Sequence, residues 1–176
     1  MKFRPLIAAI ILAFFIPRPM SSDAASWFMD VPDNYVYRDS IWYMTATNVV
    51  SGYEDGTFLP ETEINKVEAL KIILNASGKY DSEAYSSQDT SADFTDLDKN
   101  AWYMEYIEKA LSEGIISGNP DGTFTPENSV NRAEVLKMLF IASEVELSSD
   151  SDSNEEWYSQ YIDYAADNSI IWPDES

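Results

Sequence analysis

"SGYEDGTF" stands at residues 51–58 and "SGNPDGTF" at residues 117–124. Extending that alignment in both directions without gaps lays residues 28–77 over 94–143, and nineteen of the fifty positions are identical. A reused turn would match over eight residues and then decay. Identity spread over fifty residues marks a repeated structural unit, and that reading organises every other one.

Within each unit the octet sits between two helical patterns. In the second copy Tyr103, Ile107, Ala110 and Leu111 recur at one helix face, and the first copy places Tyr37, Ile41, Met44 and Thr45 there. Gly114 follows where a left-handed residue ends a helix, matched by Asn48; these two residue types tolerate that conformation best. An apolar pair comes next, Val49-Val50 or Ile115-Ile116. Asp55-Gly56 and Asp121-Gly122 are turn dipeptides, and Phe58 and Phe124 are placed to pin the turn to a core.

A second helix starts at "NKVE" (65–68) and "NRAE" (131–134). Asn65 and Asn131 are N-caps, and Glu68 and Glu134, three residues on, complete capping boxes. These glutamates therefore read as structural capping groups, not catalytic ones. Leu70, Ile73 and Ala76, with Leu136, Leu139 and Ala142, are the expected core face. Lys66 and Arg132 occupy the first helical position. With free N–H groups at the helix start they would make a small anion-attracting spot; pairing with nearby carboxylates is the alternative.

A third copy begins in "EWYSQYIDYAADNSIIW" (156–172), which matches "AWYMEYIEKALSEGIIS" (101–117). It has the first helix, with no DGTF turn or second helix in the 176 residues. The expected organisation is a leader at 1–24, repeats at 28–77 and 94–143, and a partial repeat at 157–176. Polar linkers at 78–93 and 144–156 join them. Lys2 and Arg4, an apolar run from Leu6 to Ile16 and a small-residue tail give residues 1–24 the layout of a secretory signal. Eleven apolar residues fall short of the ~20 that span a bilayer, so no membrane attachment is expected after cleavage.

Losing Lys2, Arg4, Arg18 and Asp23 with the leader leaves 8 basic and 30 acidic residues, a net charge of −22. Nucleic acid and anionic lipid are poor partners for such a surface. The chain has no cysteine, so the exported fold must rest on apolar packing. It also has no histidine and no nucleophile with a positioned base, which argues against an enzyme; no cofactor is expected. "DSDSN" (150–154) spaces acidic groups like the start of a calcium loop. Glu155 and Tyr161 stand where that loop needs Gly and Glu, so no metal site is expected.

The spaced elements "GYEDGTF…P…INKVE" and "GNPDGTF…P…VNRAE", each after an F-x-D segment and an aromatic-rich helix, resemble the S-layer homology (SLH) family. The resemblance implies a mainly α fold of helix–loop–helix units, two complete and a third truncated, packed as a pseudo-threefold bundle. It further implies non-covalent anchoring of an exported protein to an anionic secondary cell-wall polysaccharide, often pyruvate-bearing. Another SLH chain completing the third repeat is an implied partner. The arginine of the family's T-R-A-E box maps onto Arg132 and, as lysine, onto Lys66. Lysine keeps the charge but loses the planar fork, so the Arg132 site is expected to be the stronger. Trp102 and the turns Asp121-Gly122 and Asp55-Gly56 are the implied groove walls, through ring stacking and backbone N–H groups. The competing reading is a structural or assembly protein whose repeats serve only protein–protein packing.

Overall fold

A computed structural model describes residues 28–81, 94–147 and 156–171. The expected leader and the "DSDSN" segment lie outside the described residues, as does most of each linker. Among the described residues there are five helices: α1 (Arg38–Ala46), α2 (Lys66–Ser77), α3 (Met104–Ser112), α4 (Arg132–Ala142) and α5 (Ser159–Asp167). No strand occurs among the described residues; an isolated antiparallel bridge joins Asn65 to Ser129. The chain divides into two compact units between Glu63 and Ile64.

The first unit holds α1 and the first DGTF turn around a small core of Phe28, Val31 and Ile41, with Tyr35 and Phe58 against it. The second unit holds α2 to α5. Its main core gathers Val67, Leu70, Ile73 and Leu74 of α2 with Tyr103, Ile107 and Ala110 of the third-helix region, and with Ile115 and Phe124. Val67, Leu70 and Leu74 are completely buried, each contributing about 1.5–3 kcal/mol. A second cluster places Leu136 and Phe140 of α4 against Ala165 of α5.

The repeats agree at the level of single hydrogen bonds. Asn48, Gly114 and Ser169 all turn left-handed after α1, α3 and α5, with φ of 58°, 68° and 56°. In each case the next residue donates its amide across the turn at 2.8 Å: Val49 to Met44, Ile115 to Ala110, Ile170 to Ala165. Both second helices have reciprocal caps: Glu68 N–H donates to Asn65 Oδ1, and Asn65 N–H to Glu68 Oε2. Asn131 and Glu134 repeat the pattern.

Ala76 and Leu139 are half-buried where a single face predicts burial, and Met138 and Phe140 are buried instead. The cause is packing on two sides. Helix α4 touches both α2 and α5, so residues two apart are covered alternately and the 3.6-residue stripe is lost.

A polar clip ties the helix ends. Lys79 Nζ lies 3.1 Å from Glu113 Oε2, just past α3, and 3.1 Å from Glu144 Oε1, just past α4. Partial burial lowers the Lys79 pKa, but hydrogen bonds to Glu144 and Glu113 outweigh it and the net shift is upward.

Candidate groove in the second unit

The DGTF turn is fastened from within. Asp121 Oδ1 accepts from the Thr123 amide (3.0 Å) and hydroxyl (2.7 Å), and the Thr123 hydroxyl leads the causes that lower the Asp121 pKa. Asp96, of the F-x-D segment, reaches 28 residues along the chain. Its Oδ1 accepts from Phe124 N–H at 2.9 Å and its Oδ2 from Thr125 N–H at 2.6 Å. Desolvation pushes the Asp96 pKa up, yet these amide donors prevail and the net shift is downward. Asp30 clamps Phe58 and Leu59 in the first unit in the same way, at 2.8 and 2.6 Å.

Four consecutive amides of the turn therefore have internal partners. Gly122 N–H donates to Asn119 O, Thr123 N–H to Asp121, and Phe124 and Thr125 N–H to Asp96. The turn presents a shape, not a row of open donors. The start of α2 is closed as well: Lys66 N–H donates to Asn128 O and Val67 N–H to Pro126 O. The expectation of free amides beside Lys66 is thus corrected, because the loop after the second turn folds over that helix end.

Lys66 itself crosses repeats. Its Nζ donates to Phe124 O (3.0 Å) and to Thr125 Oγ1 (3.1 Å) and lies 5.2 Å from the Phe124 ring centre. The cation of repeat one thus belongs to the turn of repeat two. Beside it opens a groove of about 200 Å³, with Ser117, Gly118 and Asn119 from the turn, Glu134 and Lys137 from α4, and Trp157 from the partial third repeat. Lys137 Nζ sits 5.3 Å from the Trp157 ring centre, and Trp157 is half exposed.

The sequence-derived site residues do not all converge there. Lys66 lines the groove and is bonded to the residues that follow Asp121-Gly122. Arg132 and Trp102 are not in its lining. Trp102 lies under Lys71 of α2, 5.3 Å from its Nζ, which repeats the Lys137–Trp157 pairing one unit earlier. Asp55 and Gly56 belong to the first unit, where Asp55 Oδ1 accepts from Thr57 N–H and Gly56 O from Met29 N–H. Lys137 and Trp157 escaped sequence reasoning. The signal was present: Lys71 and Lys137 are identical in the alignment, and Trp157 matches Trp102.

Among the described residues no helix is long and apolar enough to cross a membrane, and no three His, Cys, Asp or Glu side chains gather as metal ligands would.

Repeated helix–loop–helix units fastened by an aspartate clamp, with a lysine-flanked groove walled by Trp157 in the second compact unit, define a modular repeat protein. The S-layer homology domain model matches residues 28–70 and 93–136. The chain belongs to the S-layer homology domain family. It is 32% identical over 138 residues to cell surface glycoprotein 1 of Acetivibrio thermocellus, covering 75% of this chain and 6% of that protein. A cellulosome-anchoring protein of the same organism is 30% identical over 75% of this chain and 30% of its own length. S-layer protein EA1 of Bacillus anthracis is 30% identical over 80% of this chain and 16% of its own. The chain thus spans less than a third of each of these relatives, and family membership places it at the cell surface.

Proposed function

We propose that this chain is a non-enzymatic anchoring module that binds an anionic secondary polysaccharide of the cell wall, pyruvate-bearing saccharides being the favoured class. The observation that carries the reading is the groove. On a chain of net charge −20, two lysines flank it and Trp157 walls it. A saccharide ring packs on an indole face, and an acidic substituent pairs with an ammonium. That some relatives are named as S-layer or anchoring proteins supports the same reading.

Lys66 is the proposed primary contact, because its ammonium is already fixed at the groove. Arg132, at the equivalent first position of α4, is the proposed second contact. Long-range repulsion of an anionic polymer is screened beyond ~10 Å at ~0.1 M salt, so local pairing decides binding.

The internal bonding of the turn amides favours the packing-only alternative, and one experiment separates the two. Residues 25–176 are sedimented with wall sacculi before and after the secondary polymer is stripped. Sedimentation that vanishes on stripping is the expected result; none from folded protein selects packing. Lys66→Ala is expected to weaken binding about tenfold, equivalent to ~1.4 kcal/mol, and more than Arg132→Ala. A larger loss with Arg132→Ala would reverse the assignment.

A further inference from the structure

In the second unit two half-exposed tryptophans each carry a lysine ammonium on the ring face. Lys137 Nζ stands 5.3 Å from the centre of the Trp157 ring, and Lys71 Nζ stands 5.3 Å from that of Trp102. The partners are 20 and 31 residues apart in sequence, so linkers of different length deliver the same contact. Among the described residues neither lysine has a hydrogen bond or an ion pair.

The two lysines of the groove are therefore in different states. Lys66 Nζ donates to Phe124 O and Thr125 Oγ1, at 3.0 and 3.1 Å, and the ring beneath it, Phe124, is buried. Lys137 keeps every donor uncommitted on a flexible stem, and the ring beneath it is 50% exposed. Glu134, one turn earlier on α4, forms no ion pair with it; its Oε2 accepts from Asn131 N–H in the capping box.

We propose that Lys137 determines specificity in the groove by guarding the Trp157 face: its ammonium covers the indole until an acidic substituent draws it off and leaves the ring to the sugar. The inference rests on the saccharide reading of the groove and adds the rule by which saccharides are sorted. A neutral sugar must displace the ammonium and offers it nothing in return. An acidic one supplies a carboxylate, and the charge-assisted bond to it more than replaces the ring contact. Loss of an exposed cation–π contact corresponds to a penalty of about threefold in affinity for the neutral sugar. The cover thus works against the wrong ligand as well as for the right one.

The test uses residues 25–176 labelled with fluorotryptophan and two probes: secondary polymer released from sacculi, and the same polymer with its carboxylates reduced to alcohols. Trp157→Phe assigns the Trp157 fluorine resonance. In the free protein Lys137→Met is expected to move that resonance with the melting temperature unchanged. In titrations Lys137→Met should bind native polymer about tenfold more weakly and reduced polymer about threefold more tightly, while Lys137→Arg keeps the preference for native polymer. A purely structural role would lower both affinities together; that result overturns the proposal, as does a Trp157 resonance unmoved by Lys137→Met. Parent protein that binds neither polymer would sink the saccharide reading itself. Parent protein that binds native polymer, with its full preference retained in Lys137→Met, would sink this inference alone.

Discussion

Gly118 and Gly114 are both left-handed, at φ of 71° and 68°, but they are not equivalent. A Cβ on Gly118 would strike the Phe94 ring, whereas one on Gly114 meets nothing within 4 Å. Repeat one keeps glycine at the first position (Gly52, against Phe28) and replaces it by Asn48 at the second. Gly118→Ala is therefore expected to cost about 2–4 kcal/mol, combining backbone strain with overpacking. Gly114→Asn should cost less than ~1 kcal/mol. Urea melts of the two variants check the pair; equal losses would mean that the ring moves aside freely. At this scale the turn itself was legible from Asp-Gly, because its chemistry is local. The reason for Gly118 was not, since Phe94 lies 24 residues upstream.

Each DGTF turn hangs on an aspartate that is remote in sequence, and this has a consequence for pH. The Asp96 pKa is lowered in the folded chain. A carboxyl depressed on folding contributes stability that is fully present above its unfolded value, ~3.9, and is lost as pH falls through the folded value. Asp96→Asn is expected to lower the melting temperature at pH 7, with the difference from the parent chain shrinking below about pH 4. A difference that persists unchanged at pH 2 would assign the loss to packing. The helices were legible from periodicity and the N-x-x-E spacing, and both caps at Asn65 and Asn131 obey that local rule. The exception is α4, whose Met138 and Phe140 are buried because helices pack on two sides. A helix covered twice has no single stripe to read.

Across the second unit the groove is staggered by one repeat: Lys66 comes from the first, Ser117 to Asn119 from the second, and Trp157 from the third. Aligning the copies identifies the fold but groups Arg132 with Trp102 and the Asp121-Gly122 turn, because an alignment compares equivalent positions and does not say which ones meet. Trp157→Ala is expected to reduce polymer sedimentation about tenfold with little change in melting temperature, since the ring is half exposed. Undiminished sedimentation would remove the third repeat from the site.

The stagger also sets a timetable. Helix α2 is buried by residues that follow it by some 25 to 75 positions, and Lys66 finds its acceptor only at Phe124. A chain threaded N-terminus first through an export pore can cap and turn each repeat as it emerges, but it cannot close one until much of the next is outside. The repeats overlap like roof slates laid from the N-terminus, and the last slate laid holds down the one before it.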